Sequence, residues 1–414
     1  MAESDVKNIL ILGGSYAGAS IAHYTLKHTI PALPAPSSYQ VVIVSPAREV
    51  YCRPAGPRAL IADKFFDQSK LFVNLEAQFK QYGDKFRFIH GSATRLDHDS
   101  RVVTVAAKDG TELQLPYHAL VIATGSSTPS PLLSLNADDS SVLKENWKTF
   151  REALPSATSI VVAGGGPTAI ETAGELGEHL NGRIGLFGSK PASPKVKITV
   201  VTSANEILPY LRPALGRTAE GYLDKLQVTV VKGVKVESVS PVGAGSTQGD
   251  ITAKTEVKLS NGETLTTDLY IPAYGTTPNT GFVDESLRVA DGRVDTNPQT
   301  LRVDKAGPRV YAAGDASNAA RPAIHILFEA IPALGANLKR DLLLEAGETP
   351  AGTDRVFKAD ETETQLVPIG QSKGVGSGMG WKIPSFFVWL IKGRDYWVST
   401  TGALWSGQQW AKEK

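Results

Sequence analysis

The sequence predicts an α/β fold in which one domain built on a parallel β-sheet is inserted into another. Residues 7–22 and 159–176 each form the pattern of a short apolar strand, a glycine-rich turn and a helix. Much later, residues 309–315 form an apolar strand that ends in Gly-Asp. The order of these segments predicts two Rossmann-like domains, the second inserted in the first, followed by a small C-terminal α+β region.

The domain limits follow from the positions of these segments. We expect the first domain to comprise residues 1–150 and 282–335, the inserted domain residues 151–281, and the C-terminal domain residues 336–414. A chain of 414 residues is too long for one compact core and suits two or three domains.

The charge balance excludes some classes of function. The 43 Lys and Arg residues against 42 Asp and Glu give a net charge of +1, and no basic stripe is present, so no nucleic-acid partner is expected. No metal site is predicted. Met1–Asp5 is acidic and lacks a signal or transit pattern, Ala2 excludes myristoylation, and no apolar run reaches the roughly 18 residues of a membrane span. We therefore expect a cytoplasmic protein.

The chain has one cysteine, Cys52. A disulfide within the chain is impossible, and so is the cysteine pair that carries electrons from a flavin to a thiol in disulfide reductases. Cys52 is either a free reactive thiol or a small buried apolar residue, and the second interpretation is favoured.

The first glycine-rich turn follows the strand at residues 7–12. Gly13 permits the tight turn and Gly18 the close approach of helix and strand, while Ser15 replaces the middle glycine of GxGxxG. The helix N-terminus that follows is suited to a pyrophosphate, although such a turn can also be purely structural. Ser45 stands where an acid normally binds a ribose, so we expect weaker binding of an adenosine there, by a hydroxyl group with help from Arg48 or Glu49.

The second turn, Gly164 to Ala169, has every small residue that a GxGxxA motif requires. The next strand, at residues 197–201, ends in Thr202-Ser203, which neither repels nor binds a 2′-phosphate. Nearby Lys190, Lys195 and Lys197 could accept that phosphate or form a solvated basic loop. The sequence therefore does not indicate whether NADH or NADPH is preferred.

The order of the motifs GGSYAG, ATG, GGGPTAIE, YGTTPNT and AAGD resembles the pyridine-nucleotide disulfide oxidoreductase superfamily across about residues 7–330. Without the cysteine pair, the chain looks most like the apoptosis-inducing-factor-like branch and its ferroptosis suppressor subfamily, also called mitochondrion-associated inducer of death. Residues 390–400 are the most similar local segment. The resemblance implies FAD and NADH or NADPH as cofactors, and a small-molecule acceptor of the quinone type. It is weaker for type II NADH:quinone oxidoreductases, whose glutamine motif is absent from residues 325–330.

The turns and strand ends predict the positions of the cofactor contacts. For FAD these residues are Gly13, Gly14, Ser15, Tyr16, Ala17, Gly18, Ser45, Ala123, Thr124, Gly125, Gly314 and Asp315. For the nicotinamide cofactor they are Gly164, Gly166, Pro167, Thr168 and Gly275. The resemblance adds FAD contacts at Arg58 and at the backbone of Ala93, and it implies that Asp315 holds the ribityl chain.

Two residues are candidates for catalysis. Glu171 is either a surface acid in the first turn of a helix or a carboxyl group beside the nicotinamide and flavin, as the resemblance implies. His325 is either a core histidine or a proton donor to the acceptor. A helix that begins near Pro322 would direct its positive end at the flavin.

Three functions remain open on the sequence. The first is an NAD(P)H:quinone oxidoreductase, the second an FAD-dependent oxidase or reductase of a small-molecule pathway, and the third a signalling protein that keeps FAD as a structural element.

The C-terminal tail is rich in aromatic residues. Trp381, Trp389, Trp397, Trp405 and Trp410 all lie in the last 34 residues, and residues 386–391 are continuously apolar. We expect that run to be a core strand, or else some of these aromatics to form a weak membrane contact flanked by Lys382, Lys392 and Arg394. In the second case Trp405 and Trp410 would contact lipid.

Overall fold

The computed structural model describes residues 6–184 and 194–413. The expectations for Met1–Asp5 and Lys190 fall outside these described residues.

The strands and α-helices are numbered in chain order. The strands are β1 (Lys7–Leu12), β2 (Tyr39–Ser45), β3 (Glu49–Tyr51), β4 (Phe72–Asn74), β5 (Phe86–Asp97), β6 (Val102–Ala107), β7 (Glu112–Pro116), β8 (Ala119–Ile122), β9 (Ser126–Ser127), β10 (Ser159–Ala163), β11 (Lys197–Val201), β12 (Val228–Val231), β13 (Val236–Ser240), β14 (Thr255–Leu259), β15 (Thr264–Thr267), β16 (Leu269–Pro272), β17 (Thr277–Pro278), β18 (Val310–Ala312), β19 (Gln365–Ile369), β20 (Lys373–Gly378) and β21 (Trp381–Lys382). The helices are α1 (Tyr16–Tyr24), α2 (Gly56–Ala59), α3 (Gln68–Leu71), α4 (Leu75–Gln78), α5 (Ser140–Ala153), α6 (Pro167–Asn181), α7 (Pro213–Lys225), α8 (Ile324–Glu345), α9 (Ser385–Val388) and α10 (Thr401–Trp405).

The first sheet has the order β18-β8-β1-β2-β5-β6-β7. Strand β1 is parallel to both neighbours, β2 and β8, and its residues Ile9 to Leu12 are buried. A continuous apolar run is typical of such a strand because helices or other layers cover both faces of a parallel sheet. The sheet therefore forms where the apolar runs predict it.

The second sheet, β12-β11-β10-β16, is parallel throughout. The chain leaves the first domain through β9 and returns through β17, and these two short strands pair antiparallel. The second Rossmann-like unit is thus inserted in the first, and the predicted fold class is confirmed. Helix α8 runs through residue 335, where the sequence places a domain limit, and continues to Glu345.

The tail folds differently from the expected core strand. Residues 385–388 form α9, and Trp389–Gly393 continues it as a π-helical turn, so the prediction of a strand at 386–391 is wrong. A six-residue apolar run does not distinguish strand from helix, and the Pro384 carbonyl accepts the hydrogen bonds from Phe387 and Val388 that begin the helix. In the part of the chain that the structure describes, no helix has the length and apolarity needed to cross a bilayer.

Trp405 and Trp410 are buried in the core of the first domain. The Trp405 ring lies 4.7 Å from the ring of Tyr16, and the Trp405 carbonyl is 2.7 Å from Nε2 of His23 on α1. The expectation that these two tryptophans rest on a membrane is therefore wrong, because they pack against α1 in the same core as α8.

Trp405→Ala should destabilise the protein by about 3–5 kcal/mol, because it removes a large buried side chain from a core beside the Tyr16 ring. Urea unfolding of the holoprotein measures this difference. The matched control is Trp381→Ala, whose side chain is 78% exposed and should change the free energy of unfolding by less than about 0.5 kcal/mol. Equal losses in both variants would contradict the assignment of Trp405 to the core.

Candidate functional site

A cavity of 490 Å³ lies at the carboxyl ends of the strands of the first sheet, the usual place for a ligand in such folds. It also reaches the second glycine-rich turn and the C-terminal segment, through Pro167 and Lys392. The predicted residues that line it are Gly13, Gly14, Ser15, Tyr16, Ala17, Ser45, Ala93, Ala123, Thr124, Gly125, Pro167, Thr168, Glu171, Gly314 and Asp315. The predicted residues that do not line it are Gly18, Arg58, Gly164, Gly166, Gly275 and His325.

The first turn is built by close backbone contacts. Gly13 has φ +103°, and a Cβ there would lie 2.3 Å from the carbonyl oxygen of Ala123. A Cβ at Gly18 would lie 1.8 Å from the carbonyl oxygen of Gly13. Gly13 thus lets the turn lie against the end of β8, and Gly18 lets α1 approach the end of β1. Ser15 to Ala17 face the cavity with the N–H groups of the first helical turn, which suits a pyrophosphate.

Asp315 lies at the cavity wall beside two partners. Ser126 Oγ donates to Asp315 Oδ2 at 2.8 Å, and Arg53 Nη1 is 3.5 Å from the same oxygen. Arg53 lines the cavity and was missed by the sequence reasoning, because nothing local distinguishes it from other loop arginines. The carboxylate can accept hydrogen bonds from the hydroxyl groups of a polyol, as FAD requires.

Other observations test whether FAD fits. Thr124 lines the cavity, and its Oγ1 is buried without a hydrogen-bond partner among the described residues. Buried hydroxyl groups are normally hydrogen-bonded, so this atom fits a ligand partner. Ser45 Oγ donates to the Ala47 carbonyl at 3.0 Å while lining the same wall. Neither Arg48 nor Glu49 lines the cavity: Glu49 accepts a hydrogen bond from Lys144 at 2.6 Å, and Arg48 lies 3.5 Å from Glu76.

The second turn is equally tight and leaves one open position. A Cβ at Gly164 would lie 2.3 Å from the Ala273 carbonyl oxygen, and one at Gly165 would lie 2.5 Å from Thr202 Oγ1. A Cβ at Gly166 would meet no atom within 4 Å, and Gly166 has φ −80°, which any residue adopts. Gly166 stands just before Pro167, the first residue of α6, so the open space faces a helix N-terminus suited to a nucleotide phosphate.

Glu171 is 3% exposed, so the interpretation as a surface acid is wrong. Lys392 Nζ donates to Glu171 Oε1 at 2.5 Å, and both residues line the cavity. Burial raises the pKa of Glu171 to about 7, although the charge of Lys392 opposes the shift. A carboxyl group that can gain or lose a proton near neutral pH therefore faces the cavity.

Arg58 does not reach the cavity, contrary to the contact that the resemblance implies. Its guanidinium forms two hydrogen bonds to Glu175, at 3.0 and 2.7 Å, and a third to the Gly393 carbonyl at 2.8 Å. Tyr396 also donates to Glu175 Oε1, at 3.0 Å. Arg58 thus joins the first domain to α6 and the C-terminal segment, because a buried guanidinium requires an acidic partner.

His325 and Gly275 lie away from the cavity. The His325 side chain is 38% exposed, with Nε2 3.6 Å from Asp360 and 3.3 Å from Arg321, so it is neither a core histidine nor a group facing the cavity. It points outward because the neighbouring Ile324 and Ile326 turn inward on α8. Gly275 has φ +65° and serves the turn that follows β16.

Cys52 is buried, as expected. The Tyr16 hydroxyl donates to its Sγ at 3.4 Å, and burial raises the pKa of the thiol to about 11. A thiol in this state is a poor nucleophile, because the thiolate is the reactive form.

Three comparisons with known proteins agree with this geometry. The family model described as Pyridine nucleotide-disulphide oxidoreductase matches residues 7–331. Oxidoreductase phnG of Penicillium herquei is 56% identical over an alignment that spans 98% of this chain and 97% of phnG. Human Ferroptosis suppressor protein 1 is 23% identical over an alignment that spans 96% of both chains. The structure of the sulfide:quinone oxidoreductase from Aquifex aeolicus superposes with a TM-score of 0.66 at 15% identity, covering 97% of this chain and 92% of that one.

Gly166→Leu should fold and keep FAD but raise the KM for NADH by about tenfold or more, because its side chain would fill the space at the α6 N-terminus. Steady-state kinetics with NADH and flavin absorbance measure both properties. Gly221→Leu is the matched control, because Gly221 on α7 also has no neighbour within 4 Å of a Cβ. An unchanged KM in Gly166→Leu would mean that the cofactor does not approach this turn.

Proposed function

Since this chain belongs to the pyridine nucleotide-disulphide oxidoreductase family, we propose that it is an NAD(P)H:quinone oxidoreductase that works through FAD. The observation that carries the proposal is the buried Glu171–Lys392 pair, which lines the same cavity as both glycine-rich turns. When bound, FAD takes hydride from the nicotinamide cofactor and passes electrons to the acceptor. FAD and NAD(P)H are the cofactors of this family, and the residues described above fit both.

The first role of the chain is to hold and polarise the flavin. Asp315, with Ser126 and Arg53 beside it, is available to hydroxyl groups of the ribityl chain. Helix α8 begins at Ile324 without a side-chain cap, and Arg321 to Ile324 line the cavity. The free N–H groups and positive end of α8 therefore favour negative charge in the cavity. A flavin bound there would gain such charge on accepting hydride.

The second role is to manage a proton. Quinone reduction consumes protons as well as electrons, and Glu171 has a pKa suited to donating one near neutral pH. Lys392 keeps Glu171 oriented through its hydrogen bond, and a second hydrogen bond to the Leu366 carbonyl at 3.1 Å fixes Lys392 itself. His325 has no part in this proposal.

The acceptor is inferred from two features of the chain and from one structural relative. The chain has no second cysteine to accept electrons from the flavin, and Cys52 is a buried neutral thiol. One wall of the cavity is an apolar face of α8, formed by Ile326, Leu327 and Ala330 at helical spacing. An apolar ring that accepts two electrons fits this wall, and a relative in fold is named for its reaction with quinone.

The purified holoprotein should be yellow and should bleach anaerobically with NADH or NADPH, and a ubiquinone analogue should speed NADH consumption. An oxidase or reductase of a small-molecule pathway would bleach but would not respond to quinone. A non-catalytic FAD-binding protein would not bleach. Either of these results would contradict the proposal.

The rate of quinone reduction should fall as the pH rises through about 7, because Glu171 loses the proton that it donates. Glu171→Gln should be slower and should lack this midpoint, since an amide does not titrate. The pH profile of kcat measures the effect, with Glu237→Gln on β13 as a control on an exposed carboxyl group. The same midpoint in Glu171→Gln would assign the proton to another group.

A further inference from the structure

Six large apolar side chains are exposed on one segment of the C-terminal region. We call them the apolar face, and they are Met379, Trp381, Phe386, Phe387, Leu390 and Ile391. They are between 40% and 80% exposed, and they make up half of the twelve exposed large hydrophobic residues in the described part of the chain. Scattered exposed hydrophobic residues are ordinary, but six within 13 positions indicate an interaction surface.

The helical segment that carries most of this face is apolar on both sides. Val388 is fully buried and packs near Gly374, and Lys392 points into the cavity. Phe386 and Phe387 project outward, with their ring centroids 5.5 Å apart. Val388 packs into the core, whereas Phe386, Phe387, Leu390 and Ile391 each leave 40–60% of their surface uncovered by the described chain.

The hairpin tip beside this segment has the same character. Met379 has φ +47°, a conformation that side chains other than glycine rarely adopt, and it is 80% exposed. Trp381 follows at the start of β21. A strained turn that presents a methionine and a tryptophan to solvent is costly unless a partner covers it.

The charged residues within the segment that carries the face are all basic. Glu363 lies beside Gly380 at the hairpin tip, but it is paired with Arg212. Residues 371–394 contain no Asp or Glu, whereas Lys373, Lys382, Lys392 and Arg394 are basic. Lys392 is used in the buried pair with Glu171, and the other three form no ion pair with any described residue. This contrasts with the whole chain, whose net charge is only +1.

We propose that the apolar face docks on the surface of an anionic lipid bilayer. Aromatic and aliphatic residues bordered by Lys and Arg match the interface between acyl chains and anionic headgroups. A second copy of the chain is a poorer partner, because a symmetric contact would bring three unpaired cations of each copy together. The face differs from the one expected on the sequence, since Trp405 and Trp410 take no part.

The docking surface also adjoins the cavity. Ile391 belongs to the face, and the next residue, Lys392, binds Glu171. A bilayer at the apolar face would therefore hold an apolar acceptor close to the cavity. This consequence rests on the proposed quinone reductase function. Lipid binding itself does not depend on that function.

The test uses the full-length holoprotein with vesicles of phosphatidylcholine, alone or mixed with phosphatidylserine. Wild type should co-sediment with the mixed vesicles more than with the neutral ones, and the double variant Phe386→Ser/Phe387→Ser should bind at least about tenfold more weakly. Tyr210→Ser/Val242→Ser, two exposed positions in the inserted domain, is the matched control and should bind like wild type.

Activity separates this proposal from the function. With a short-chain water-soluble quinone, the Phe386→Ser/Phe387→Ser variant should keep its flavin and its rate. With a long-chain quinone in mixed vesicles, it should be slower by about tenfold. Wild-type protein that binds the mixed vesicles but does not reduce either quinone would overturn only the proposed function.

Wild-type protein that ignores both kinds of vesicle would overturn the docking proposal while leaving the enzyme function intact. A wild-type dimer in light scattering that becomes a monomer in the Phe386→Ser/Phe387→Ser variant would also overturn it, because a second copy of the chain would then cover the apolar face.

Discussion

The architecture around the cavity depends on buried charges along one side of α6. Glu171 and Glu175 lie four residues apart and so project to the same side of the helix, where Lys392 donates a hydrogen bond to Glu171 and Arg58 forms a salt bridge with Glu175. A buried charge without a partner costs several kcal/mol, so removing one member of such a pair typically destabilises a protein by about 3–5 kcal/mol. These pairs therefore specify which segments must meet at α6.

Three separate parts of the chain meet there as a result. Arg58 belongs to the first domain, α6 to the inserted domain, and Lys392 to the C-terminal segment. The Arg58 guanidinium also lies 4.8 Å from the Tyr396 ring, which adds a cation–π contact to the cluster. The two glycine-rich turns are suited to bind the cofactors. The cluster determines that the titratable carboxyl group of Glu171 faces the cavity that both turns reach. The proposed lipid-binding face is attached to the same cluster through Ile391 and Lys392.

The sequence predicted the parts of the site whose chemistry is local. Gly13, Gly18 and Gly164 could be found because the spacing of small residues in a strand–turn–helix unit is a local pattern. The backbone that requires a glycine is local only for Gly18, since Gly13 and Gly164 lie against Ala123 and Ala273 of distant segments. Asp315 could be found because it follows a glycine at a strand end. The insertion of one domain in the other could also be predicted, because the strand at 309–315 belongs to the same sheet as the strand that begins at residue 7.

The errors concern side chains whose partners are distant in sequence. Arg58 binds Glu175, 117 residues away, and Trp405 contacts His23, 382 residues away, so neither pairing leaves a local pattern. Arg53 was missed for the same reason. The run at 386–391 is apolar on both sides of a helical segment, so its apolarity alone does not show that Phe386, Phe387, Leu390 and Ile391 lie on the exposed side while Val388 is buried.

The most direct test of the central claim is a double-mutant cycle on Glu171 and Lys392. Enzyme reduced by NADH is mixed with a water-soluble quinone, and the return of flavin absorbance gives the oxidation rate for wild type, Glu171→Gln, Lys392→Met and the double variant. If the pair acts as one unit, the double variant will be no slower than the slower single variant. Losses that multiply in the double variant, or rates unchanged in all three, would contradict the account.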